Sequence, residues 1–357
     1  MKNTFSTARI VLASLATVLL ALRAADMHRL SAATQSDAFG YGFVMFGPET
    51  ANPRAWGFNW MKVYNVPSTK PPAKVLYLIP VSAADVGNLP AVQQRVDNVM
   101  NQAGGNIDAY EIGNEVNLSS TFGWNASPVA ADYKQVLCAA YDRIKSNSRT
   151  ALVVSAGLAN TGRVSGTWGG HPGNNGASQD ERTYLTELIA AGAGACLDFV
   201  GYHPFGFSAD FDAPPDATGG TPATDCGSGL CFRSAERLYD IMQANGWGAK
   251  KMWATEMGWL IFPPSECSTV PGNGDWSNRA WQAVTREKQA MNLAGAFNYA
   301  RANWPWMNAM FVFNLNFNMA PYYAACNQMR YYSVLGNPAE IALRGLFNWR
   351  YMPIMMR

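Results

Sequence analysis

Charge is scarce in this 357-residue chain: Asp, Glu, Lys and Arg together make up 15% of it, and the formal net charge is +2. No block of like charges occurs, so nothing in the sequence offers a nucleic-acid backbone an electrostatic partner. Histidine is scarcer still, with three residues, too few for a His-rich metal centre. No Gly-x-Ser-x-Gly elbow is present, which removes the usual serine-hydrolase arrangement. No Gly-x-Gly-x-x-Gly turn follows any early strand-like segment, which removes the dinucleotide fingerprint. The longest apolar run, Ile10 to Leu22, is too short for a comfortable membrane span.

That run follows Lys2 and Arg9 and precedes the small residues Ser31-Ala32-Ala33. This is the layout of a secretory signal, so residues 1–33 are expected to be a signal peptide and residues 34–357 the mature protein. Cleavage near Ala24 and an uncleaved anchor are the alternatives. Loss of 1–33 removes four cations and one anion and takes the formal charge from +2 to −1. A secreted or periplasmic address follows, with no stable membrane span after cleavage. Six cysteines remain, an even number that suits disulfides in an exported chain. Cys226 and Cys231 close a short Gly-containing loop and are the pair expected to bond.

What the chain has in quantity is apolar residues, 48%, ample for a large core. Strand-like segments are expected at Phe39–Phe46, Phe58–Tyr64, Val75–Val81, Ile107–Ile112, Ala151–Ser155, Phe199–His203, Lys251–Thr255 and Ala309–Leu315. Helix-like segments fall at Leu89–Ala103, Ala130–Asn147, Glu181–Ala193, Ala235–Asn245 and Ala280–Asn303, with weak, proline-rich stretches after the first two strands. Eight strands alternating with helices predict a single-domain (β/α)8 TIM barrel; a doubly wound open sheet is the runner-up. Long polar connections at Thr161–Asp180, Phe207–Arg233 and Ile261–Arg279 all follow strands, which places them at the C-terminal mouth, where barrel sites are built.

Two glutamates stand at that mouth. Glu115 ends the run Asp108-Ala-Tyr-Glu-Ile-Gly-Asn-Glu115, and Glu256 ends Lys251-Met-Trp-Ala-Thr-Glu256. Paired carboxyl groups at the ends of barrel strands suit acid–base and nucleophilic work on a glycosidic bond. Five segments in order carry a resemblance: Gly57-Phe-Asn-Trp-Met-Lys62, Ile112-Gly-Asn-Glu115, Phe199-Val-Gly-Tyr-His203-Pro-Phe, Trp253-Ala-Thr-Glu256-Met-Gly-Trp259 and Tyr332-Ser-Val-Leu-Gly-Asn-Pro338. The sequence resembles the retaining glycoside hydrolases of clan A, in particular family 39 and the cellulase-like family 5.

The resemblance implies that Glu115 is the general acid/base and Glu256 the nucleophile. It also implies that Asn114 bonds the sugar 2-hydroxyl and that Tyr202 or His203 lines the subsite beside the scissile bond. No metal and no organic cofactor is implied, and a monomer acting on a carbohydrate is expected. Glu111 shares a strand face with Glu115 and is expected to be an interior charge paired with Lys62, which is also a candidate substrate contact. Trp124, Trp168, Trp259 and Trp276 are candidate sugar platforms in the mouth loops, whereas Trp60 and Trp253 are expected in the core. Clan members carry a tryptophan at the end of strand eight; here Phe313 or Phe317 stands nearby. The family 5 arginine that touches the nucleophile is absent, and Lys62 is the nearest cation. A catalytically silent carbohydrate-binding barrel is the rival reading; two retained glutamates count against it.

Overall fold

The computed structural model describes residues 39–47, 51–216, 226–269 and 276–347. The expected signal segment, 1–33, lies outside the described residues. Eight strands close into a barrel: β1 Gly40–Val44, β2 Trp60–Val63, β3 Lys74–Ile79, β4 Ala109–Asn114, β5 Leu152–Ala159, β6 Phe199–His203, β7 Lys251–Met257 and β8 Met307–Val312. Every neighbouring pair is parallel, and β8 returns to β1. The open-sheet alternative is thereby excluded.

Six α-helices follow β3 to β8 in turn: α1 Leu89–Ala103, α2 Ala130–Asn147, α3 Glu181–Ala190, α4 Ala235–Ala244, α5 Arg286–Asn303 and α6 Pro338–Gly345. Among the described residues, the connection after β1 holds a 3-10 turn, Pro53–Trp56, and no helix follows β2. The proline-rich sequence there removes the amide donors that a helix needs. The helix expected from Ala280 begins instead at Arg286, because Thr285 caps it by accepting the Lys288 amide. None of the described helices is long and apolar enough to cross a membrane.

The barrel interior is layered, and strand alternation sets the layers. Along β2 and one residue past its end, Trp60, Lys62 and Tyr64 follow each other at alternate positions. Trp60 and Trp253 meet edge to face at 4.9 Å, with Phe311 beside them, and form an aromatic floor. Both tryptophans are buried, as expected of core residues. Above that floor the interior turns polar with Lys62, Glu111, His203 and Thr255, all fully buried.

Three disulfides tie the outer structure: Cys138–Cys196, Cys226–Cys231 and Cys267–Cys326. The Cys226–Cys231 pair is the one that sequence spacing singled out. The Cys138–Cys196 bond joins α2 to the turn before β6, and Cys267–Cys326 joins the loops that follow β7 and β8.

Candidate active site

Two local departures from regular strand geometry deliver the glutamates. On β4, Gly113 takes φ +81°, and a Cβ there would lie 2.8 Å from Val81 Cγ2, so only glycine fits. Glu115 itself takes φ +42°, a conformation a non-glycine residue rarely holds. The turn aims its carboxyl group into the mouth while its amide still bonds Gly157 O. On β7 the register against β8 slips between Ala254–Met310 and Met257–Val312. The extra residue on β7 is a bulge, and a bulge interrupts strict alternation. Thr255 and Glu256 consequently both reach interior partners: Thr255 donates to Glu111, and Glu256 accepts from Lys62.

A connected set of charges occupies the mouth. Lys62 Nζ lies 2.7 Å from Glu111 Oε2 and 2.9 Å from Glu256 Oε1. Tyr64 adds a second donor to Glu256 Oε1 at 3.1 Å. His203 Nδ1 lies 3.1 Å from Glu115 Oε1 and 3.9 Å from Glu256 Oε2. These two carboxyl oxygens flank one nitrogen, so they are within 7.0 Å of each other. Glu111 Oε1 accepts from Thr255 and from the Gly157 amide.

Electrostatics follow from this packing. Burial works against the charge of Glu111, but the Lys62 ammonium and then His203 outweigh it and hold the carboxyl at about 2. His203 Nε2 stands 3.8 Å from Glu111 Oε1, too far for a hydrogen bond, so His203 acts on Glu111 through charge. Burial also opposes a charged His203, yet Glu256, Glu111 and Glu115 raise it to about 9. The ring is therefore an imidazolium at neutral pH, and both its nitrogens carry protons. Lys62 loses to burial and gains more from Glu111 and Glu256, and its pKa is raised.

Five of the expected site residues, Glu115, Glu256, Asn114, His203 and Lys62, meet here, and the others do not. Glu115 and Glu256 face one mouth; the Glu115 side chain is 24% exposed and that of Glu256 is 9% exposed. Asn114, partly buried at the end of β4, donates to Phe122 O and stands next to Glu115. Lys62 is paired with Glu111 as expected, but it is fully buried under Glu256 and so orders that carboxyl group instead of touching substrate. Tyr202 is also fully buried, and its hydroxyl bonds Ser234 at the head of α4. It points outward because its neighbour His203 points inward.

The tryptophan platforms need the same correction. Trp124 is buried against Tyr133, Trp259 donates to Ala209 O from a fully buried position, and Trp276 donates to Cys326 O. Only Trp168, 41% exposed on the hairpin Thr167–Trp168/His171–Pro172, keeps an open ring among those four. Phe313 is buried too, packed against Phe205, Phe317 and Tyr332. His171, on the same hairpin as Trp168, is partly buried and pairs with Glu187. Tyr64 was not singled out by sequence reasoning, although alternation from Trp60 through Lys62 points to it.

No protein-family model matches the sequence, and no curated protein matches it. Among solved structures the chain is similar to a family 39 glycoside hydrolase of the gut symbiont Bacteroides cellulosilyticus WH2, at 17% identity and TM-score 0.53, covering 86% of this chain and 62% of that one. It is similar to a glucosidase of Croceicoccus marinus at 12% identity and TM-score 0.53, covering 86% and 66%. A third likeness is to a monomeric beta-xylosidase of Caulobacter crescentus CB15, at 13% identity and TM-score 0.50, covering 86% and 67%. The chain thus spans about two thirds of the length of these solved chains. At such low identity these likenesses establish the fold: a (β/α)8 barrel of the kind that glycoside hydrolases use.

Proposed function

We propose that this chain is a glycoside hydrolase that cleaves a β-linked saccharide with retention, through a glycosyl-Glu256 intermediate. The observation that carries the reading is that Glu115 and Glu256 both approach His203 Nδ1, which puts one oxygen of each within 7.0 Å of the other. That bound admits the roughly 5–5.5 Å separation of retaining enzymes. The names of the solved relatives, a glucosidase and a beta-xylosidase among them, support the same substrate class.

The two glutamates divide the work by environment. Glu256 Oε1 accepts from Lys62 and Tyr64, which fixes the carboxylate and leaves Oε2 to attack the anomeric carbon. Glu115 is the more exposed of the two and is held through Oε1 by His203; it gives its proton to the glycosidic oxygen. The C–O bond breaks, the aglycone leaves as an alcohol, and the sugar is bound to Glu256 as an ester. Water then loses a proton to Glu115 and attacks the same carbon, which frees Glu256 and returns the proton to Glu115. We also propose that the protein works as a monomer after export, with residues 1–33 as its signal. Three disulfides support an oxidising compartment.

Aryl β-glycosides test this directly. Glu256→Gln is expected to abolish turnover, and Glu115→Ala to lower it by on the order of 10²–10⁴ for poor leaving groups and much less for good ones. NMR of the first-formed sugar is expected to show the β-anomer. Release of the α-anomer would overturn retention, and near-normal turnover in Glu256→Gln would remove the nucleophile.

A further inference from the structure

Aromatic side chains form a continuous strip that starts at the candidate nucleophile and leads away from it. Tyr64, whose hydroxyl bonds Glu256, has its ring 6.4 Å from that of Phe317. Phe317 stacks on Tyr323 at 5.7 Å, Tyr323 meets Tyr322 at 4.7 Å, and Tyr322 meets Phe46 at 5.4 Å. The strip comes from three elements: the ends of β1 and β2 and the loop after β8. It is braced from below, since the Asn316 side chain accepts the Phe46 amide and donates back to Phe46 O. Arg330 donates to Tyr323 O and fixes the loop from the other side.

Tyr322 is 63% exposed and Tyr64 37% exposed, while Phe317 beneath them is buried at 2%. Large rings left open to water on a buried aromatic base mark a surface that binds something. Carbon–hydrogen faces of sugar rings suit such a surface, and a tyrosine also offers a hydroxyl at its edge. Direction comes from the barrel. In the closed strand order, β8 lies diametrically opposite β4, the strand that carries Glu115. The leaving group departs on the Glu115 side, so the strip lies on the side of the sugar that becomes bound to Glu256.

We propose that Tyr64, Tyr323, Tyr322 and Phe46 form a binding strip for the non-reducing end of a β-linked oligosaccharide, extending at least two sugar units beyond the one that is cleaved. The proposal rests on the glycosidase reading for its orientation. It makes the substrate a chain, not a single terminal sugar. Tyr64 serves both ends of the arrangement, orienting Glu256 and beginning the strip.

The test uses the full chain with aryl β-glycosides whose glycone is one, two, three or four sugars long, together with calorimetric binding of the unmodified β-linked oligosaccharides. Wild type is expected to gain kcat/KM with each added unit up to three. In Tyr322→Ala and Phe46→Ala the deficit should grow with glycone length, reaching on the order of tenfold for the three-sugar glycone. Equal deficits at every length, or no gain with length in wild type, would overturn the strip while leaving the glycosidase reading in place. Oligosaccharide binding that lengthens in affinity and is weakened by Tyr322→Ala, without any hydrolysis, would keep the strip and remove the glycosidase. Neither binding nor hydrolysis would overturn both.

Discussion

Replacing Lys62 with methionine takes the ammonium out from between a fully buried carboxyl group, Glu111, and a nearly buried one, Glu256. Lys62 and Glu111 are both fully buried, 2.7 Å apart, and Glu256 lies 2.9 Å from the same nitrogen. Removing one partner of a buried ion pair costs about 3–5 kcal/mol, because the remaining charge is left without compensation. A second route gives a similar figure. Glu111 is held at about 2 against an ordinary value of 4.5, which corresponds to roughly 3 kcal/mol of preference for its ionised form. A domain in the upper part of the ~5–15 kcal/mol range of total stability survives that loss.

The sign of the pH dependence makes Lys62→Met decisive. In wild type the Glu111 contribution is fully present above pH 4.5 and is lost as pH falls toward 2, since the folded state holds the carboxyl below its ordinary value. Without Lys62 the strongest opposing charge is gone, only His203 remains against burial, the largest cause acting on Glu111, and the carboxyl is expected to rise above 4.5. Its effect then reverses, and the variant loses stability as pH increases. Urea unfolding of both proteins at pH 4 to 7, read as shifts in midpoint at constant slope, should show a small deficit at pH 4 that widens to about 3–5 kcal/mol at pH 7. Methionine fills much of the lysine stem, which limits any packing loss. A deficit that stays constant across this range would refute the electrostatic account and indicate packing alone. Lys62→Met/Glu111→Met should recover part of the stability at pH 7.

His203 predicts the opposite limb. Its pKa is raised from 6.5 to about 9, so its contribution, roughly 3 kcal/mol, is present below pH 6.5 and lost as pH rises through 9. His203→Gln should therefore be most destabilised relative to wild type near pH 6 and equal to it near pH 10 in urea titrations. Glu181, which burial lifts to about 7, is unchanged in both proteins and cancels in the difference. Gly157→Ala would place a Cβ 2.1 Å from His203 Nε2; thermal melts should show a loss on the order of 1–3 kcal/mol, and turnover should fall with it. Gly87→Ala, with nothing within 4 Å of the added atom, is the matched control and should be near neutral in both measurements.

Much of the barrel was legible because its signals are local. Eight strand segments and the long helices each carry their own apolar pattern, and α1 and α2 begin and end where the sequence placed them. The two glutamates were legible for the same reason, each ending a strand-like run. What escaped depended on neighbours distant in sequence. Trp124 and Trp259 were assigned to the mouth from loop membership, yet loop membership does not set which way a side chain faces, and these two face Tyr133 and Ala209. Tyr202 was recoverable: once His203 is placed inside the barrel, strand alternation sends Tyr202 out. The bulge on β7 was not recoverable, because a register slip is a relation between β7 and β8 and not a property of either strand. Without it, Thr255 and Glu256 would point to opposite faces and only one could reach the charges inside.

That bulge shows what the interior charges are for. Lys62, Glu111 and His203 are buried beyond the reach of substrate, and a barrel packed with apolar side chains at those heights would carry no desolvation cost. The cost is offset by hydrogen bonds that converge on the two members nearest the mouth: Lys62 on Glu256 and His203 on Glu115. With both cations charged and all three carboxyl groups ionised, the cluster carries a net charge of −1 in a place largely closed to water. One further proton makes it neutral, and a general acid needs such a proton at the start of its cycle. Of the three carboxyl groups, Glu111 is held at about 2 and Glu256 Oε1 faces an ammonium and a phenol. Among the described residues, the cation beside the Glu115 carboxyl group is His203, 3.1 Å from Oε1. The proposed division of labour between Glu115 and Glu256 rests on these two sets of hydrogen bonds, one anchoring Glu256 from below and the other holding Glu115 at the mouth.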